Sequence, residues 1–260
     1  MIDSSVLQSV PSLPPINVFA SQGVESVGRM SPARSPIPLP HGVDALLSRV
    51  GGQRRRLKRG DYLYRYGAEF TALYGVHAGS FKSVLLTEDG REQVTGFHMA
   101  GEVLGLDGLG ADHYSGDTIA LEDGEVIEIA RDALELLVRQ EPFLQRELFR
   151  MLANEIARER ALMLLLGSMR AEERLAALLL NLSQRLAARG YSATRFILRM
   201  TREEIGSLLG LKLETVSRIL SRFQAEKLIR VHNREIEISD MAQLRCVIGR
   251  NDVRREVAAA

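Results

Sequence analysis

Thr201 to Glu226 reads TREEIGSLLGLKLETVSRILSRFQAE, and its punctuation divides it into two short helices joined by a tight turn. Thr201 followed by Glu204 is a capping box, in which the hydroxyl serves first-turn amides and the carboxylate reaches back to the cap. Ile205, Leu208 and Leu209 supply a helical apolar stripe, and Gly210 follows where the chain must leave the helix with positive φ. Leu211 and Leu213 lead into a second helix whose buried face is predicted to be Val216, Ile219, Leu220 and Phe223. Gly206 suits the position where the two helices cross most closely, since a larger side chain would hold the backbones apart. Two helices around a glycine turn form the helix-turn-helix plan.

The opposite face carries the chemistry. Glu214, Ser217, Arg218, Ser221 and Arg222 recur at spacings of three and four, so they share one exposed side of the second helix. An arginine donates two hydrogen bonds to guanine O6 and N7, a glutamate accepts from cytosine N4, and a serine serves several bases. Glu214, Ser217 and Arg218 are therefore the candidate base readers. Thr201, Lys212, Thr215, Ser221 and Arg222 are candidate contacts to the DNA backbone. Solvated surface charge would explain such a face on a lone helix. It does not explain the capping box, the turn glycine and the apolar set together.

Charge is distributed to match. The 260 residues carry a net charge of +1, but residues 170–260 alone carry +6 and residues 1–169 carry −5. A basic C-terminal third places the phosphate-facing surface where the motif already lies. Hydrophobic content of 45% with 26% charged residues is that of a globular protein. No apolar run approaches the ~20 residues of a membrane helix, and no charged-then-apolar leader opens the chain, so a cytoplasmic location is expected. The one cysteine, Cys246, excludes an internal disulfide and any four-cysteine metal site, and is expected to be a buried small hydrophobe.

Seven of the eight prolines fall within residues 1–42, which are expected to form a disordered arm. Residues 43–140 change to short strands: 61–66, 72–77, 81–86, 93–98, 118–121 and 125–129, with glycines between them and a hairpin signal at Glu88-Asp89-Gly90. Many short strands at regular spacing predict a jelly-roll barrel. Pro142 then opens a helix of roughly 25 residues, placed at 141–168, with Leu144, Leu148, Leu152 and Ile156 every four residues. Its stripe exceeds what one barrel can cover, which predicts a self-associating helix with Leu148, Leu152, Ile156 and Met163 at the dimer seam. A further helix is predicted over 171–188, with Leu175, Leu178, Leu179 and Leu182 inside. Within the 169–250 domain, strands 229–232 and 235–239 flank Asn233-Arg234 as a two-stranded wing, with Arg230 and Arg234 placed for phosphates. Residues 251–260 are expected to be a flexible tail.

With barrel, long helix and winged helix-turn-helix in that order, residues 45–250 resemble the bacterial cyclic-AMP receptor protein and fumarate-nitrate reduction regulator family. The stretches EQVTGFHMAGEVLGLDGLG (92–110), AEERLAALLLNLSQR (171–185) and MTREEIGSLLGLKLETVSRILSRFQ (200–224) are similar to its oxygen-responsive branch. The resemblance implies an α+β fold with an N-terminal cyclic-nucleotide-binding-like β jelly-roll barrel, a long dimerisation helix and a C-terminal winged helix-turn-helix. It implies a homodimeric, sequence-specific transcription regulator that works with RNA polymerase. Glu214, Ser217 and Arg218 match the branch's E-x-x-S-R motif, which implies a palindromic TTGAT-type site in double-stranded DNA.

The family's sensors do not carry over. Oxygen-sensing members hold an iron–sulfur cluster on four cysteines, whereas the arm here has none and the barrel position falls at Ile127. Cyclic AMP is not expected either: Leu106 stands at the pocket glutamate position and Tyr114-Ser115 at the phosphate-clamping pair, with no arginine to donate bidentately. Glu102, Tyr114, Ser115 and Asp117 remain as a candidate pocket for a different ligand. His77, His98 and His113 form no close pair, so a metal site and an enzymatic barrel are not expected. The alternative reading is a small-molecule receptor or barrel enzyme whose winged helix serves protein contacts.

Overall fold

Strands β1 (Gln53–Leu57), β2 (Tyr62–Tyr64), β3 (Ala72–Ala78), β4 (Ser80–Leu86), β5 (Glu92–Met99), β6 (Val103–Leu104), β7 (Asp117–Ala120) and β8 (Gly124–Ala130) build the first half of the molecule. In this computed structural model residues 52–87 and 89–248 are described; the predicted arm and tail lie outside them. The strands form two antiparallel sheets, ordered β1-β8-β3-β6 and β2-β7-β4-β5. β3 is buried continuously from Ala72 to Val76, and Val126 and Ile129 of β8 join Leu73 in the core. The barrel centre is aromatic: the Tyr64 and Tyr114 rings stack at 3.9 Å, Phe70 meets Tyr114 edge-on at 5.5 Å, and Tyr74 lies 5.9 Å from Tyr64. The Tyr114 hydroxyl donates to the Ala72 carbonyl at 2.7 Å, which satisfies the buried polar tip.

β1 was not among the expected strands. Its run QRRRL reads as solvated charge, and only Leu57 is buried. All five of its residues pair antiparallel with β8, from Gln53 opposite Glu128 to Leu57 opposite Gly124, and Arg54 and Arg56 both reach Glu125 on that strand at 2.7 and 3.1 Å.

Helix α1 (Arg131–Gln140) leads into α2 (Pro142–Ser168), where Pro142 occupies the first turn, a position that lacks an amide partner in any case. At 27 residues α2 is about 40 Å long. Leu144 and Leu148 are part of the barrel core, and Met151 and Leu152 pack against it. Of the residues expected at a dimer seam, Leu148 is buried in the chain's own barrel core and Leu152 is half-buried against it. Ile156 and Met163 are 49% and 68% exposed.

Helix α3 (Ala171–Ala187) buries Leu175, Leu178, Leu179 and Leu182 as its spacing predicts. There follow β9 (Arg195–Ile197), α4 (Arg202–Leu209), α5 (Leu213–Ala225), β10 (Ile229–His232), β11 (Glu235–Ile238) and a helix over 241–248. The wing has three strands rather than two, in the order β10-β11-β9. Three residues are too few for an alternation to register, although Phe196 is buried between exposed Arg195 and Ile197. Cys246 is exposed, not buried: Leu244 and Val247 take the inner face of the last helix.

Barrel and C-terminal half meet along β5, the edge of its sheet. An open edge presents unpaired backbone groups, and here side chains satisfy them. Val94 N–H donates to Ser207 Oγ at 2.8 Å, and the carbonyls of Phe97 and Ala100 accept from Arg185 and Arg189 at 2.7 and 2.6 Å. Ion pairs flank them: Lys82 to Glu204 at 2.9 Å, and Arg185 and Arg189 to Glu102 at 2.7 Å each.

Candidate nucleic-acid interface

The interface starts from a helix start and a helix stop. Thr201 Oγ1 accepts from the Glu204 amide at 3.1 Å while the Glu204 carboxylate accepts from the Thr201 amide at 2.7 Å, completing the capping box. Gly210 closes α4 in the left-handed region (φ 62°, ψ 39°). Gly206 is required for a reason other than the one expected. A Cβ there would lie 2.5 Å from the Leu211 carbonyl oxygen, so the close approach is to the turn's own backbone rather than to α5. The Leu211 amide donates to the Gly206 carbonyl at 2.8 Å and locks that turn.

These constraints aim α5. Val216, Ile219, Leu220 and Phe223 are buried beneath it, and Glu214 and Arg218 stand exposed on the other side. Glu214 lies in the first turn of α5, where a negative charge suits the helix dipole. Ser217 is half-buried, and its Oγ accepts a hydrogen bond from Arg202 Nη1 at 3.1 Å. Arg202 was missed in the sequence; an arginine directly after the cap of the first helix, in a basic third of the chain, was the available signal.

The backbone candidates separate. Lys212 precedes α5 and is exposed, as are Arg230 and Arg234 at the wing; Arg230 pairs with Glu237 at 3.1 Å across β10 and β11. Thr201 is tied up in the capping box: its Oγ1 accepts from the Glu204 amide and its hydroxyl also bonds the Glu204 carboxylate. Thr215, Arg218 and Arg222 line a cleft with Glu172. Ser221 and Arg222 also have partners within the chain. Ser221 donates its hydroxyl proton to the Ser217 carbonyl at 3.0 Å. Arg222, about half exposed, pairs with Glu172 and, at 2.8 Å, with Glu226, as Arg230 pairs with Glu237. A second cleft of about 200 Å³ opens between α4, α5 and the wing, rimmed by Thr201, Arg202 and Arg234.

The four residues expected to share a ligand pocket do not converge. Glu102 is the buried anchor of Arg185 and Arg189. Tyr114 is in the aromatic stack, Ser115 donates its amide and hydroxyl to Asp107 at 2.8 Å, and Asp117 accepts from the Tyr66 amide at 2.7 Å. The Asp107 carboxylate is held against Ser115, and the Tyr64–Tyr114 stack is buried in the barrel core. Burial alone would raise the Glu102 carboxyl, but Arg185, Arg158 and Arg189 hold it down to about 2. Burial pushes the neighbouring His98 imidazole down to about 3 against the pull of Glu102. His98 Nε2 bonds Ser83 Oγ at 2.8 Å. Among the described residues no group of three or more His, Cys, Asp or Glu side chains gathers as for a metal ion, and no helix is long and apolar enough to cross a membrane.

Known proteins share both halves. Residues 173–247 match the Crp-like helix-turn-helix domain and residues 54–141 the cyclic nucleotide-binding domain. The chain is 45% identical over 214 residues to the transcriptional regulatory protein btr of Bordetella pertussis, covering 82% of this chain and 88% of that one. It is 41% identical over 220 residues to the transcriptional activator protein Anr of Pseudomonas protegens, with 83% and 90% covered. The structure of FixK2 from Bradyrhizobium japonicum superposes with a TM-score of 0.70 at 31% identity, covering 75% of this chain and 96% of that one.

Proposed function

The chain belongs to the CRP/FNR family of transcription regulators, and from that premise we propose that it regulates transcription in the cytoplasm as a homodimer bound to double-stranded DNA. The observation that carries the reading is the pair Glu214 and Arg218, exposed on α5 directly opposite its buried face. A helix held by one face and free on the other enters a major groove with those side chains at the base edges. Pairing two chains through the exposed second half of α2, around Ile156 and Met163, sets two such helices about one DNA turn apart. The expected site is a palindrome of TTGAT-type half-sites, and RNA polymerase is the partner through which occupancy becomes transcription.

This regulator uses neither an iron–sulfur cluster nor cyclic AMP, and it has no catalytic role. The single cysteine, Cys246, and the aromatic filling of the barrel support that reading. Selection of random duplexes by the full-length protein, followed by sequencing, tests the function. A two-fold symmetric motif containing TTGAT-like halves is expected. Enrichment of no motif would remove the DNA-reading function and leave the winged helix as a protein-contact module.

A further inference from the structure

The Arg202–Ser217 hydrogen bond decides what Ser217 reads. A serine hydroxyl has one proton to donate and two lone pairs to accept with, so on its own it matches a base donor as well as a base acceptor. A serine within a helix also commonly turns its proton back to the carbonyl one turn earlier, and Ser221 does this, donating to the Ser217 carbonyl at 3.0 Å. Ser217 is placed differently. Its Oγ faces Arg202 Nη1 at 3.1 Å, and guanidinium is a donor with no acceptor capacity. The bond therefore takes up one Ser217 lone pair and turns the hydroxyl proton away from Arg202. Arg202 is at the first position of α4 and Ser217 is in the second turn of α5, so the contact crosses the helix-turn-helix on its exposed side.

We propose that Arg202 is a positioning residue that presents Ser217 to DNA as a hydrogen-bond donor, so that the pair selects a base-edge acceptor and rejects cytosine. The inference rests on the DNA-reading function proposed above. In the major groove thymine offers the O4 acceptor and guanine offers O6 and N7, whereas cytosine offers only the N4 donor. A donor-set Ser217 meets the first two favourably and places proton against proton at the third. The nearby guanidinium charge acts in the same direction, since it favours acceptors at that edge. Arg202 need not touch a base for this; it acts through the serine.

The test is competition binding of the full-length protein to four duplexes that differ at one base pair. That position is first located as the one where Ser217→Ala levels the preferences. Wild type is expected to favour thymine or guanine over cytosine there by about fivefold, the size of one net hydrogen bond. Arg202→Met, which keeps the aliphatic stem and removes the donors, is expected to bring that ratio close to one. The ratio at the guanine read by Arg218 should stay unchanged. In the double variant Arg202→Met with Ser217→Ala, no further levelling is expected. Ratios within one protein are independent of the fraction folded, so loss of material does not mimic the result. If Arg202→Met weakens all four duplexes by the same factor, Arg202 is a phosphate contact and the proposal falls while DNA reading stands. If Ser217→Ala changes no ratio at any position, the proposal also falls. If wild type fails to distinguish any specific duplex from a scrambled one, the function itself falls with it.

Discussion

Arg218 projects from α5 on the side opposite Val216 and Leu220, so its loss changes recognition without touching the core. Arg218→Ala is expected to cost about 1–3 kcal/mol on the preferred duplex and to relax discrimination at its guanine. Titrations against specific and scrambled duplexes measure this, and an unchanged ratio between them would remove Arg218 from the reading set. Glu214, Ser217 and Arg218 were legible in the chain because the 3.6-residue period puts them on one face whatever surrounds the helix. Arg222 and Ser221 have the same period and also partners within the chain. Glu172, fifty residues away in the chain, holds Arg222, and Ser221 bonds within its own helix. A spacing rule reports direction from the helix axis and is silent about partners.

Among elements, α2 divides most clearly. Leu148→Ala is expected to destabilise the barrel by about 2–5 kcal/mol through the lost burial and the cavity it leaves, read as a lowered denaturant midpoint. Met163→Glu touches a side chain 68% exposed and should leave the unfolding free energy of the dilute, dissociated chain within about 0.5 kcal/mol. It should instead shift sedimentation toward the monomer; a dimer of unchanged affinity would move the seam elsewhere. At the wing, Arg230→Ala should weaken all duplexes about equally and lower the salt-dependence slope by ~1. A loss confined to one sequence would make Arg230 a base reader. The long helix was legible from its apolar repeat, but the same repeat serves the barrel first and the exposed seam second. The third wing strand, β9, escaped because its pairing with β11 is a tertiary fact.

At the scale of the molecule, Glu102 joins barrel and DNA-binding half through Arg185 and Arg189. Glu102→Gln leaves two largely buried guanidinium groups uncompensated and is expected to cost about 3–5 kcal/mol, measured by thermal or denaturant unfolding. An unaltered midpoint would show that the junction contributes no stability. The same cluster sets an acid dependence. Between pH 6.5 and about 3 the unfolded chain binds a proton at His98 that the folded chain excludes, so stability falls as pH drops through that window. Glu102 acts in the same direction between 4.5 and about 2. Glu155, whose carboxyl burial pushes up, opposes them. The melting temperature should therefore decline from pH 7 to pH 5, and His98→Gln should flatten the decline; an equal slope in both proteins would exclude His98 as its source. By itself the sequence determined the helix-turn-helix, six of the eight barrel strands and the long helix, because capping, glycine turns and apolar period act over a few residues. Only the tertiary structure decided that Glu102 is an anchor rather than a pocket residue, that aromatic rings fill the barrel, that Leu148 faces inward, and that Arg202 reaches Ser217. Those outcomes depend on charges and side chains distant in the chain coming within a few ångströms, where desolvation and pairing, not local preference, set the energy.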